Sequence, residues 1–266
     1  MRKVIISLAP VRAGTPVDSQ KLADDVAKSV RSGAAMCHLH CRRPDGSLTS
    51  DITYLKECFD AILKKTDVIV QASTGGVSNL NIRERCAPLE YEKVESASLN
   101  GGSTNLGESV YSNSFDDIRY SAKAVYDRHI LPETEVFEIG MLHNMELVQR
   151  EQPFAEPVLY NLVFGHPGIM QATPETLAAF CSFVPKTALW GVTHYGRDNW
   201  TFLAAAIASG ATIVRVGFED SDWLSETETA RFNWQVVERL VQLIRAMGLE
   251  PATPQEARGI LRLSKR

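Results

Sequence analysis

Two histidines two residues apart, His38 and His40, interrupt the apolar run AAMCHLHC (34–41). Successive side chains of an extended strand point to opposite faces, so both imidazoles share one face while Cys37, Leu39 and Cys41 share the other. Two neutral imidazoles placed this way ligate one divalent cation, and a third ligand from another strand leaves a position open to substrate. Glu219, at the end of the run TIVRVGFE (212–219), shares parity with Arg215 and Gly217 and is the candidate third ligand. A His38-His40-Glu219 set suits zinc, with iron and manganese the other cations that its donor types accept. Asp220 follows directly. Beside a cation and Arg215 it stays ionised and is placed to act as a general base or to orient one. The ordinary alternatives are a hydrogen-bonded core histidine and an ion-paired or helix-capping carboxylate.

Other polar residues collect where strands of the same kind end. Ser73-Thr74-Gly75-Gly76 follows the run VIVQAST (68–74), and its glycines let backbone N–H groups approach a carboxylate or phosphate. Asn100 ends SASLNGG (96–102), and Arg12 and Arg42 follow the first two runs. Glu138 sits in the apolar stretch VFEIG (136–140), a costly placement for a carboxylate unless it is paired or binds something. His166 and His194 close the sixth and seventh runs.

These residues need elements to position them. Eight short runs rich in apolar and β-branched residues recur: KVIISLA (3–9), AAMCHLHC, VIVQAST, SASLNGG, VFEIG, VLYNLVFG (158–165), ALWGVTH (188–194) and TIVRVGFE. Helix signals lie between them, over 18–31, 51–65, 114–129, 142–151, 174–183, 198–208 and 226–247, with Ser225 and Glu228 proposed as a capping box for the last. NIRERCAPLEYEKV offers at most a short helix broken at Pro88. The alternation predicts an α/β fold, a (β/α)8 TIM barrel in one domain spanning 1–266 with a short helical tail from about 250; a doubly wound open sheet is the alternative. In such a barrel the chemistry sits at the C-terminal ends of the strands, where the unusual polar residues fall.

Composition narrows the class. Of 266 residues, 44% are hydrophobic and 23% charged, the balance of a soluble globular enzyme. A net charge of −4 with dispersed Lys and Arg offers no stripe for nucleic acid. No apolar run approaches the roughly 18 residues that span a bilayer, and the N-terminus lacks a signal-peptide pattern, so no membrane partner and a cytoplasmic location are expected. Five cysteines without a CxxC pair read as buried reduced thiols. GxGxxG after the first strand and GxxxxGK[ST] are both lacking, which removes the usual support for dinucleotide and P-loop sites.

With LAP ending the first strand, SGAAMCHLHCRRPDGSLTSD, VIVQASTGG, FEIG and RVGFED, the chain resembles the β-keto acid cleavage enzymes over almost its whole length. The resemblance implies a TIM barrel binding Zn2+ through His38, His40 and Glu219, and an acyl exchange in which a β-keto acid and acetyl-CoA yield acetoacetate and a new acyl-CoA. It implies that Arg215 and Asp220 take part in deprotonation, that Glu138 helps bind the substrate tail, and that Ser73, Gly75 and Gly76 hold the substrate carboxylate. It also implies a homo-oligomer, a dimer or tetramer. Arg43 stands where many relatives carry an acidic residue, and Arg12 is unusual at the first strand end. Arg12 is a candidate for selecting an anionic tail or a CoA phosphate, against the alternative of a solvated loop charge.

Two other functions compete. A metal-dependent hydrolase of the amidohydrolase type also uses HxH, but SASLNGG has no lysine and VFEIG no histidine, which leaves only His166 and His194 as further ligands. A protein that holds a metal and a small acid without turnover is the second.

Overall fold

The computed structural model describes residues 1–264. Eight parallel strands form the barrel: β1 (Lys3–Leu8), β2 (Met36–Leu39), β3 (Ile69–Ala72), β4 (Ser96–Asn100), β5 (Leu131–Val136), β6 (Leu159–Phe164), β7 (Leu189–His194) and β8 (Ile213–Val216). Each pairs with the next in sequence, and β8 pairs back onto β1 through Ser7 opposite Arg215, which closes the sheet. The open-sheet alternative is thereby excluded.

Alternation along each strand sorts the side chains into two sets. Outward residues such as Ile6, Cys37, Leu39, Val70, Leu162 and Val214 pack with the surrounding helices in the main core. Inward residues at the lower ends of the strands, Ile5, Met36, Ile69, Leu131, Leu159 and Ile213, form a separate apolar plug. One layer higher the inward positions turn polar, with Ser7, His38, Gln71, Glu133, Asn161, Thr193 and Arg215 all buried. The interior is therefore apolar below and polar above, toward the strand ends where (β/α)8 enzymes place their chemistry.

The helices form where the sequence signals them, with characteristic ends. In α1 (Ser19–Ser32), Asp18 accepts from the backbone N–H groups of Gln20 and Lys21, and Gly33 closes the helix at φ +128°. α2 (Thr53–Leu63) follows, then a single turn, α3 (Ile82–Arg85), capped by Asn81 and followed by a 3-10 turn over Ala87–Glu90. α4 (Phe115–Asp127) and α6 (Pro174–Phe183) start from Ser114 and Thr173 caps, with α5 (Gly140–Glu151) between them. α7 (Thr201–Ala208) leads to β8.

Two expected boundaries are corrected. The helix expected over 226–247 is α8 (Asn233–Ala246), and Ser225 and Glu228 are not its cap but opposed residues of a small hairpin, Trp223–Ser225 against Glu228–Thr229. The fifth strand is LPETEV rather than VFEIG. Hydrophobic content is a poor guide there, because a strand lining a polar interior carries Leu131, Glu133 and Glu135 inward.

The last described elements lie beneath the barrel. Glu250–Pro251 extends the edge of β1, and α9 (Pro254–Leu261) brings Ala257 and Leu261 against the apolar plug. Four of the five thiols are buried as expected; Cys181 is partly exposed. Among the described residues no helix is long and apolar enough to cross a membrane.

Candidate active site

His38 lies on β2 and is 1% exposed. Its Nδ1 is 2.7 Å from Gln71 Oε1, on the register partner in β3. Gln71 in turn donates through Nε2 to Ser96 Oγ at 3.0 Å and to Glu133 Oε2. Because the amide nitrogen faces a carboxylate, its oxygen faces the imidazole, and His38 must donate from Nδ1. The Nε2 lone pair is then free, and that buried atom has no hydrogen-bond partner among the described residues. Such a relay from imidazole to amide to carboxylate is how metal-ligating histidines are oriented.

His40, one residue beyond the strand, continues the same face, and its Nε2 is 3.3 Å from Glu219 Oε1; His38 Nε2 is 3.9 Å from the same oxygen. The expected ligand atoms of His38, His40 and Glu219 lie within 4.8 Å of one another. An orphaned nitrogen, a second imidazole and a carboxylate oxygen converging on one point fit a divalent cation with three protein ligands. His40 and Glu219 also face the cavity, so a cation held by the three residues would be accessible to substrate from that side.

Glu219 arrives by a turn rather than by strand parity, since β8 ends at Val216. Gly217 takes φ +135°, and a Cβ there would lie 2.3 Å from Ala9 O, so only glycine permits the reversal. The turn is tied down by Glu219 N–H to Ala9 O at 3.1 Å and by Asp220 N–H to Gly217 O at 3.0 Å.

Arg215, inward on β8, ties the carboxylates together. Its Nε and Nη2 donate to the two oxygens of Asp220 at 3.0 and 2.6 Å, Nη2 also reaches Glu219 Oε1 at 3.2 Å, and Nη1 reaches Glu135 Oε1 at 3.3 Å. One guanidinium thus serves three carboxylates. Burial raises Glu135 to about 7, against the pull of Arg215. Burial likewise pushes Asp220 up, whereas for Glu219 it is outweighed by His40 and Arg215, which hold the carboxyl below its usual range. Burial lowers His38 to about 3, which keeps the imidazole neutral and available as a ligand.

The cavity above this cluster has a volume of about 570 Å³. Gly75 and Gly76 line it, but their N–H groups already donate, to Ser73 Oγ at 3.1 Å and to Tyr111 Oη at 3.0 Å. At these two glycines the donor left for a substrate carboxylate is therefore the Tyr111 hydroxyl rather than either amide. Tyr111 fits so closely that a Cβ on Gly75 would lie 2.3 Å from its oxygen. Thr74 is turned away and donates to Ser98 O at 2.6 Å. Arg85 clamps this wall through Thr74 O, Ser112 O and Asn113 Oδ1.

Several expected site residues stand apart. Asn100 is buried behind the lining, where it accepts from Gly102 N–H at 3.3 Å and is hydrogen-bonded to Tyr111, which does line the cavity. Glu138 lies beyond β5, half-buried against the Met170 backbone and also outside the lining; the carboxylate of β5 that lines the cavity is Glu135. Arg12 pairs with Asp222 at 2.8 Å at the surface. Asp220 is 5% exposed and sits behind Arg215 rather than on the cavity wall. The ligands that a hydrolase would need are not assembled: His166 stacks on Tyr195 at 3.7 Å and His194 packs edge-on against Phe202. Gln71, Glu133, Glu135 and Tyr111 are the residues the sequence reading missed. Gln71 carried a signal, a lone amide at an inward position of VIVQAST.

Comparison with known proteins identifies the family. The family model for beta-keto acid cleavage enzyme matches residues 6–263. The 3-keto-5-aminohexanoate cleavage enzyme of Fusobacterium nucleatum subsp. nucleatum is 34% identical over 275 residues, covering 100% of both chains. The 3,5-dioxohexanoate:acetyl-CoA acetone transferase of Paraburkholderia graminis is 30% identical over 299 residues, covering 98% of this chain and 96% of the relative. In fold, the chain is similar to ObcA in a ternary complex with a C4-CoA adduct and oxalate, with a TM-score of 0.78 at 19% identity over 93% of this chain and 67% of that one. A model match across nearly the whole chain and full-length relatives at 30% identity or more make this protein a member of the β-keto acid cleavage enzyme family.

Proposed function

We propose that the protein exchanges acyl groups between a β-keto acid and acetyl-CoA, releasing acetoacetate and a new acyl-CoA, with zinc held by His38, His40 and Glu219. The observation that carries this reading is the convergence of those three ligands at the edge of a cavity floored by Arg215. A zinc ion bound there supplies Lewis acidity to the keto oxygen.

The chain's own groups supply the rest. The hydroxyl of Tyr111, held at the Gly75–Gly76 wall, binds the substrate carboxylate, and Ser73 behind the wall fixes Gly75 through its N–H. The Arg215–Asp220 pair takes a proton from C2, the cavity-facing guanidinium receiving it while passing one of its own N–H protons to Asp220 behind it, and the resulting enolate attacks the thioester carbon of acetyl-CoA and expels CoA thiolate. The thiolate then adds to the original keto carbon. Its bond to C2 breaks, the acyl fragment leaves as acyl-CoA, and C2 regains a proton as acetoacetate departs. Glu135, raised to about 7, faces the cavity as a group able to return that proton.

The test measures bound metal and acetoacetate release from β-keto acids with acetyl-CoA. His38→Ala is expected to lose the metal, whereas Asp220→Asn keeps it and loses turnover by about 10²–10⁴-fold, the usual contribution of a positioned acid or base. Full activity in Asp220→Asn together with an inactive Glu135→Gln would move the base to Glu135.

A further inference from the structure

The two sides of the cavity differ in chemistry. Metal ligands on β2 and after β8, with the Gly75–Gly76 wall after β3, form one side. A β-keto acid held there by its keto oxygen and carboxylate projects its tail across the barrel, toward the strands opposite β2. That opposite side consists of Leu106, Phe137, Val163, His166 and Tyr195, contributed by segments from after β4 to after β7. His166 and Tyr195 stack at 3.7 Å with planes 14° apart and present one continuous aromatic surface. Burial lowers His166 to about 4, so the imidazole is uncharged at neutral pH.

Among the described residues no ammonium or guanidinium belongs to that side, and its one lining carboxylate, Glu135 of β5, lies at the floor beneath Phe137, where Arg215 Nη1 donates to it at 3.3 Å. The other charged residues lining the cavity lie elsewhere: Glu219 is hydrogen-bonded to Arg215 at the floor, and Arg42 on the β2 side donates to Gly46 O at 2.9 Å. Glu138 lies outside the lining, and Arg12 is engaged by Asp222. A charged tail laid there would lose part of its water with no free countercharge, because Glu135 is engaged by Arg215. Each buried methylene, in contrast, contributes roughly fourfold in affinity.

We propose that this enzyme is selective for β-keto acids with an uncharged, apolar tail, bound against Leu106, Phe137, Val163 and the His166–Tyr195 stack. The proposal rests on the acyl-exchange reading above and adds to it the class of acid.

The experiment compares three six-carbon acids with acetyl-CoA on the metal-loaded protein: 3-oxohexanoate, 3-keto-5-aminohexanoate and 3-oxoadipate. The kcat/KM for 3-oxohexanoate is expected to exceed that for each charged acid at least tenfold. A smaller margin, or preference for either charged acid, overturns the proposal while leaving acyl exchange intact. No acetoacetate from any of the three overturns acyl exchange itself, and the tail assignment with it. Leu106, on a short surface hairpin and only partly buried, provides a reciprocal variant. Leu106→Asp is expected to raise the ratio of the ammonium acid to 3-oxohexanoate at least tenfold, and an unchanged ratio would overturn the placement of the tail against this side.

Discussion

Two buried arginines mark the two ends of the barrel. Below, Arg258 of α9 forms a bidentate pair with Glu95, Nε to Oε2 at 2.6 Å and Nη2 to Oε1 at 2.7 Å, while Nη1 reaches Asp67 O at 3.0 Å. One buried cation meets one buried anion there, with the half-exposed Asp67 at the rim. Above, Arg215 is shared among Glu135, Glu219 and Asp220, and the neighbouring His38 Nε2 has no partner. The lower cluster is matched in charge and geometry and closes the barrel. The upper one carries surplus negative charge and an unused ligand atom, the state of a site that is completed by a cation.

Removing one carboxylate from each end tests that contrast. Glu95→Gln leaves Arg258 buried without its buried countercharge, and about 3–5 kcal/mol of stability is expected to be lost. Chemical denaturation reads the loss, while turnover per folded molecule changes little. Glu135→Gln leaves Arg215 with Asp220 and Glu219, and it removes a carboxyl that burial already raises to about 7. Its stability is expected to stay within about 1 kcal/mol of the parent. Equal losses in the two variants would break the comparison.

A smaller effect belongs to the relay behind His38. Gln71→Leu removes the acceptor that holds the Nδ1 proton while keeping a side chain of similar bulk. Metal affinity is expected to fall about 10–100-fold, as for other outer-shell partners of metal-binding histidines. Metal-competition titration measures it. Unchanged affinity would mean that burial alone orients the ring.

The same contrast explains what could be read from the sequence. HLH was legible because period-2 alternation applies to any strand, and Leu39 and His38 fall on the faces that it assigns. Glu219 was correctly grouped with Arg215, but for the wrong reason: the Gly217 reversal aims it, and parity ends with Val216. LPETEV was passed over because its inward glutamates lower its apolar content, although the Leu-Glu-Glu alternation was present at 131, 133 and 135. Tyr111 and the Trp223–Thr229 hairpin sit on excursions above the barrel, where neither period applies. The Arg258–Glu95 pair joins residues 163 apart and depends on how the tail folds under the barrel.

The smallest effect concerns His194, at the upper end of β7. Its ring lies edge-on to Phe202 at 5.1 Å between centroids, and its buried Nδ1 has no partner. Burial, aided by the nearby Arg197 charge, lowers it to about 4, whereas an imidazole in the unfolded chain titrates near 6.5. Between those values the unfolded chain takes up a proton that the folded ring refuses. Stability is therefore fully present above pH ~6.5, declines as the pH falls toward about 4, and levels off below. The slope is at most about 1.4 kcal/mol per pH unit, less for solvent screening at a partly exposed ring. His194→Phe keeps an aromatic ring against Phe202 and removes both the orphaned nitrogen and the titration. Denaturation midpoints of this variant are expected to decline less steeply than the parent's between pH 6.5 and 4.5, with no loss at pH 7. Parallel profiles would show that the folded protein accommodates a charged imidazole at this position, and that the upper end tolerates an unmatched cation as well as unmatched anions.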